Sequence, residues 1–545
     1  MHITDRRGVP ECTLGQYEKE FAGRHLLHHV IGWWAERNPD APAIISYDRK
    51  QVVDWATLNR VSADLARRLL RLGFEKGDFL AASLPMSLEH IFLEYACFRI
   101  GVIHAPLDLR LRPPEALRCL GLIKPKGFAF LILDLAGIVK SNCPFVEHYW
   151  SQSELAEMIA GGSQGRGPES PVDLSENDGA QVIFTTGSTG SPKPALLSHR
   201  NITCQNFCLG AAFGFNERSR LLLNLPPSHV GGQAEALMTS LFWGGAAVTL
   251  EIFDPARSLD AIQQYRVTLL GQIPAMFQFE WHLSDFAKFD LSSLERVIYG
   301  GQQVSQQFLE RMAQMAPLMG TGLGLTETAG FCTYTPMTSA VDDLSAGIGF
   351  DMPAYAISIR REMRADGSAG GALHDGEVGH ICFSGPQTFL GYVNDPAATA
   401  RAISSDGYLY TGDIGRKDDR GLHFSGRAKW IIKPAGYQVF PGDVENHVCA
   451  LETKVAGCGV VGAEHRLLSE GIVAFVEKRP GAELTMAELR QHAHSMTSYM
   501  RPLHYVILEP GQLPLNRVVK VDYIRLSEMA KQEVDRLRAR GRWDR

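Results

Sequence analysis

The chain has 545 residues, 45% hydrophobic and 21% charged, which excludes the low-hydrophobicity, high-charge composition of a disordered protein and allows about three or four structural units with sizeable cores. Lys and Arg number 54 against 60 Asp and Glu, a formal charge of −6, so a sequence-independent nucleic-acid partner needing a broad basic face is excluded.

The first elements alternate in character. PAIISY (residues 42–47) reads as a strand, ADLARRLLRLG (63–73) as a helix, FLAASLP (79–85) as a strand and EHIFLEYACFRIG (89–101) as a helix. This βα alternation predicts an α/β architecture with substantial parallel sheet. The most apolar run, FAFLILDLAGIV (128–139), is too short to span a bilayer and carries Asp134, and no apolar h-region follows the N-terminal basic residues. A cytoplasmic protein with no membrane span is expected. The ten scattered cysteines contain no CxxC and predict ordinary thiols rather than a disulfide framework or zinc site. His25, His28 and His29 carry no metal-ligand context and read as surface or satisfied histidines.

A Gly/Ser/Pro-rich loop (161–175) precedes the string TTGSTGSPKPALLSH (185–199), itself preceded by the strand-like QVIF. Hydroxyls, glycines and Lys193 after a strand suit a loop that wraps a polyphosphate. It is not a Walker A loop, because the fifth residue after Gly187 is Pro192 and Pro194 follows Lys193. A flexible surface turn would account for the glycines but not for the ordered string.

Beyond residue 426, SGRAKWIIKPAGYQVFPG (425–442) introduces a smaller α+β unit. Helices are predicted at 443–452 and 487–496 and strands at 455–463, 471–478 and 504–510. The final helix places Leu526, Ala530, Val534 and Leu537 on one face, opposite a solvated basic face.

The phosphate-loop string resembles that of the adenylate-forming superfamily, which comprises acyl- and aryl-CoA synthetases, peptide-synthetase adenylation domains and beetle luciferases. GTGLGLTETAG (320–330), LYTGDIG (409–415), GRAKWIIKPAGYQVFPGDVE (426–445) and PLNRVVKVD (514–522) resemble four further motifs of that family, in family order. The resemblance implies a large N-terminal domain of packed αβ subdomains (1–428) and a small mobile α+β C-terminal domain (429–545). It also implies an ATP-dependent acid–thiol ligase that forms an acyl-adenylate and pyrophosphate, then a thioester and AMP. Thr185, Ser188, Thr189 and Lys193 would hold the β- and γ-phosphates, with Gly300, Gly301 and Gln302 also at the nucleotide. Thr326 would contact the α-phosphate and Glu327 would bind Mg²⁺. Asp413 would accept from the ribose with Arg427 assisting, and Lys520 would neutralise charge during adenylation. Alone, Glu327, Asp413 or Lys520 would read as a surface residue; the motif contexts reverse that.

LPPSHVGGQ (225–233) resembles the segment between acid pocket and CoA tunnel, with His229 between them, and lacks the Asp of amino-acid-activating relatives. The remaining wall, residues 272–276, Gly300, Gly322, Gly324 and Phe331, is largely uncharged, which implies an apolar aryl, alicyclic or medium-chain monocarboxylic acid. Gly436 would line the tunnel for coenzyme A, and Trp430 would be the hinge. Leu323, Pro194, Trp430 and Val519 depart from the family pattern. Two alternatives stay open, a stand-alone enzyme loading a carrier protein or an amine and a non-catalytic nucleotide-binding relative, as does a homo-oligomer.

Overall fold

The computed structural model describes residues 8–161, 172–186, 192–345, 347–515 and 521–544. Ser188, Thr189, Val519 and Lys520 lie outside the described residues.

Two seven-stranded sheets form the bulk of the large N-terminal domain. One runs in spatial order Leu318–Gly320, Arg296–Tyr299, Leu269–Gln272, Arg220–Leu223, Ala246–Thr249, Pro42–Ser46 and Gln51–Asp54, parallel except for its last pair. The other runs Gly391–Tyr392, Pro192–Ser198, Gly179–Thr186, Ile103–Pro106, Phe79–Ser83, Gly127–Phe130 and His148–Ser151. Pro192–Ser198 is antiparallel to both its neighbours, Gly391–Tyr392 and Gly179–Thr186, and its pair with Gly179–Thr186 flanks the predicted phosphate loop. Parallel strands need helical crossovers on both faces, which is why their short apolar runs alternate with helices.

The helix Leu88–Ile100 buries every residue except Arg99 and so shows no amphipathic stripe. Ser87 caps its start and Gly101, at φ 71°, ends it. The apolar run at 128–139 divides into the end of the strand Gly127–Phe130 and most of the helix Leu133–Asn142. No helix among the described residues is long and apolar enough to cross a membrane.

A four-stranded antiparallel sheet, Ala356–Arg360, Gly379–Ser384, Leu409–Asp418 and Gly421–Arg427, leads to the small C-terminal domain. There the strands Val455–His465, Ser469–Lys478 and His504–Leu508 form one sheet. One face packs against Ile432, Val444, Val448 and Leu489. The other packs against Leu526, Ala530, Val534 and Leu537 of the helix Tyr523–Ala539, all four buried as the sequence periodicity predicts. The cysteines are free, nine of the ten buried and Cys449 half-buried.

Candidate active site

The carboxyl ends of parallel strands from both large sheets open onto a single cavity of about 990 Å³, the usual place for a ligand in a doubly wound fold. Its rim takes Thr185 from one sheet, and Asn224, Gln272 and Gly300 to Gln302 from the other. His229, Gly324, Thr326, Glu327, Phe331, Lys193 and Arg427 line it as well.

Its inner half is apolar. Phe213 meets Phe331 edge-on at 5.7 Å between centroids, and a Cβ at Gly300 would sit 2.9 Å from the Phe331 ring, so glycine there leaves room for the aromatic wall. Just after His229 the chain winds into a π-helix, Gly231–Met238, a rare form that changes which side chains face inward. Glu235 on that helix lines the cavity. Space for its side chain comes from Gly330, whose φ of 122° suits glycine and whose Cβ would lie 2.5 Å from Glu235 Cγ. Burial pushes the Glu235 carboxyl up to about 7, opposed by a hydrogen bond from the Phe331 backbone N–H.

The other half is cationic. Thr185 and Lys193 are cross-strand partners. Lys193 Nζ lies 5.1 Å from the centroid of the Tyr392 ring, and the Tyr392 hydroxyl donates to Glu327 Oε1 at 2.6 Å. Lys429 also lines this half; burial and then the charges of Arg427 and Lys193 hold its pKa below the ordinary lysine value. A lysine whose charge is disfavoured by burial and by two neighbouring cations marks a place suited to a polyanion. Arg427 Nε is 2.8 Å from Oδ1 of buried Asp413, its cross-strand partner.

Asp413 thus reaches the cavity through Arg427 rather than lining it. Gly322 does not line the cavity: a Cβ there would lie 1.9 Å from the Thr333 carbonyl oxygen, so a backbone contact requires glycine. Gly436 is also away from it, with φ 87° and open space where a Cβ would be. Trp430 stands in the 3₁₀ turn Ala428–Trp430 and stacks on Tyr523 at 5.4 Å, and the Tyr523 hydroxyl donates to Glu445. His25 pairs with Glu176 at 2.8 Å and stacks on Tyr17.

A family model described as AMP-binding enzyme matches residues 31–393, more than half of the chain, and one described as AMP-binding enzyme C-terminal domain matches residues 443–520. The chain belongs to the AMP-binding enzyme family. This AMP-binding enzyme is 29% identical over 485 residues to a feruloyl-CoA synthase of Amycolatopsis sp, covering 85% of the chain and 92% of the relative. It is 27% identical over 521 residues to 4-coumarate–CoA ligase 5 of Oryza sativa subsp. japonica, covering 91% and 94%. Its fold is similar to that of ATP-bound MatB from Rhodopseudomonas palustris, with a TM-score of 0.82 at 23% identity over 93% of this chain and 99% of that one.

Among the residues of this AMP-binding enzyme's cavity that the sequence reading did not name are Glu235 and Tyr392, and Lys429 had no assigned role. Glu235 lies outside the wall segments drawn from the sequence, so the expectation of a largely uncharged wall fails there. Tyr392 sits in a two-residue strand with no periodic signal. Lys429 was within reach, since it stands inside the GRAKW string next to the residue singled out as hinge.

Proposed function

We propose that this enzyme is an ATP-dependent carboxylic acid–CoA ligase. The observation that carries the reading is that one cavity joins an apolar half to a half lined by Thr185, Lys193, Thr326, Glu327, Arg427 and Lys429. A carboxylate oxygen attacks the α-phosphorus while pyrophosphate leaves, so two anions must be held together and their charge neutralised. Lys193 and Lys429, with Thr185, Ser188 and Thr189, hold the phosphates in this reading, Thr326 faces the α-phosphate, and the Asp413–Arg427 pair receives the ribose. Lys520 neutralises the transferring group. Glu327 fits Mg²⁺: it is an oxygen donor at the cavity, its carboxylate oriented by the Tyr392 hydroxyl. When bound there the ion would neutralise phosphate oxygens. The thiol of coenzyme A then attacks the acyl carbon and AMP departs.

The acid in this reading has an apolar aryl, alicyclic or medium-chain body and a hydroxyl or amine that donates to Glu235. A buried carboxylate that accepts from the Phe331 backbone N–H has lone pairs left for such a donor, whereas a fully apolar ligand would leave it desolvated. In this reading the small domain begins at 429, supported by Arg427 ending the last strand of the four-stranded sheet and by Ile432 and Val439 packing in the small core. Pyrophosphate release across a panel of hydroxylated, amino-substituted and unsubstituted acids, with and without CoA, tests the reading. Sustained turnover is expected only with CoA; equal turnover without it would replace the ligase reading by the carrier- or amine-loading one.

A further inference from the structure

A second polar cluster lies in the core, where the helix Leu88–Ile100, the strands Ile103–Pro106 and Gly179–Thr186 and the π-helix Gly231–Met238 meet. His90, Glu94, His104, Gln181 and Gln233 are all fully buried. His90 and Glu94 stand one helical turn apart and share a face, and His104 comes from the next strand. One ligand atom from each of His90, Glu94 and His104 lies within 4.8 Å of the other two.

The hydrogen bonding within the cluster does not close. Among the described residues, both ring nitrogens of His104, Nδ1 of His90, Oε2 of Glu94 and the amide oxygen of Gln181 have no partner. Buried polar atoms are rarely left so, and several in one place call for an occupant. His104 Nδ1 and Glu94 Oε1 approach to 3.2 Å without forming a hydrogen bond. Two ligands on one tetrahedral zinc, each about 2.0–2.1 Å from it, sit roughly 3.4 Å apart. Imidazole nitrogens with one carboxylate are the donor set of a zinc-type ion rather than of calcium or magnesium.

We propose that His90, Glu94 and His104 bind one divalent transition-metal ion of the zinc type, distinct from the nucleotide's Mg²⁺. Gln181 Nε2 donates to Glu94 Oε1 at 2.7 Å and so orients the ligating carboxylate. The Gln233 amide is 3.0 Å from His90 Nε2; turned with its oxygen toward that nitrogen it receives the N–H and frees Nδ1 to ligate. The unpaired Gln181 oxygen completes the coordination. Through Gln233 the ion braces the π-helix that carries Glu235 into the acid pocket.

The test uses the full chain, purified without a metal-affinity step. Elemental analysis is expected to find about one equivalent of zinc per chain after dialysis against EDTA. Protein refolded from denaturant with cobalt(II) should show the visible d–d bands of a four-coordinate site, and protein refolded with chelator should melt at a lower temperature. Glu94→Gln and His104→Met, folded by circular dichroism, should lose both metal and bands. Less than about a tenth of an equivalent in native and cobalt-refolded wild type would assign the cluster to buried water and overturn the proposal. Undiminished metal in either folded variant would overturn it too, placing the ion elsewhere, as at the solvent-accessible Glu18–His25–Glu176 group. If neither variant folds, the wild-type measurements alone decide.

Discussion

Glu235 and Lys520 act at opposite ends of the proposed reaction, and single substitutions separate them. Glu235→Leu removes a carboxylate that burial already disfavours in its charged form. Its kcat/KM should rise for unsubstituted acids and fall for hydroxyl- or amino-bearing ones, a swing of tenfold or more, about 1.4 kcal/mol in discrimination. An unchanged ratio between the two acid classes would remove Glu235 from recognition. Lys520→Ala should slow adenylation by about a hundredfold or more, because a transition-state cation is lost, yet leave thioester formation from supplied acyl-adenylate intact. Equal loss in both steps would point instead to a folding defect.

At the level of elements, the strand Leu269–Gln272 and the helix Pro274–Trp281 are tied by one buried carboxyl. Glu280 accepts from Ser258 Oγ at 2.6 Å and from Gln272 Nε2 at 3.0 Å, and burial pushes its pKa from 4.5 up to about 7. The folded protein therefore keeps a proton that the unfolded chain has released between those values. Stability falls as pH rises through this window, by at most about 1.4 kcal/mol per pH unit from this group, and levels off above it. Glu280→Gln, which keeps an acceptor oxygen, should flatten that decline. Melting curves of both proteins from pH 4.5 to 8 should diverge as pH rises, with the variant higher above neutrality; parallel curves would show that Glu280 does not titrate in this range.

For the whole molecule the decisive stretch is the turn between the two domains. Trp430 stacks on Tyr523 of the small domain, whereas Arg427, three residues earlier, is fastened to Asp413. Rotation of the small domain about this turn would have to change backbone dihedrals within a few residues. Trp430→Pro fixes φ near about −65° and removes an amide donor. One half-reaction should survive and the other fail, measured as pyrophosphate exchange and as thioester formation from synthetic acyl-adenylate. Wild-type rates in both steps from a folded variant would place the pivot elsewhere in Lys429 to Gly436 or show that the small domain does not rotate.

What the sequence determined by itself was whatever short-range chemistry encodes. The alternation of strand and helix, the buried stripe of Leu526, Ala530, Val534 and Leu537, and the ordered strings around Thr185, Glu327 and Asp413 each depend on residues within a few positions of one another. The tertiary structure alone decided which distant residues meet. Glu235 stands in no motif of the sequence, and the π-helix Gly231–Met238 carries it to the cavity. Gly322 reads as a ligand contact until the Thr333 carbonyl claims its space. His90, Glu94, His104, Gln181 and Gln233 converge only because strand order sets residue 181 beside residue 104 and core packing brings the π-helix residue 233 against the helix Leu88–Ile100. Local propensity and turn chemistry act over one or two turns of chain, whereas strand order and the close packing of buried side chains are properties of the whole core.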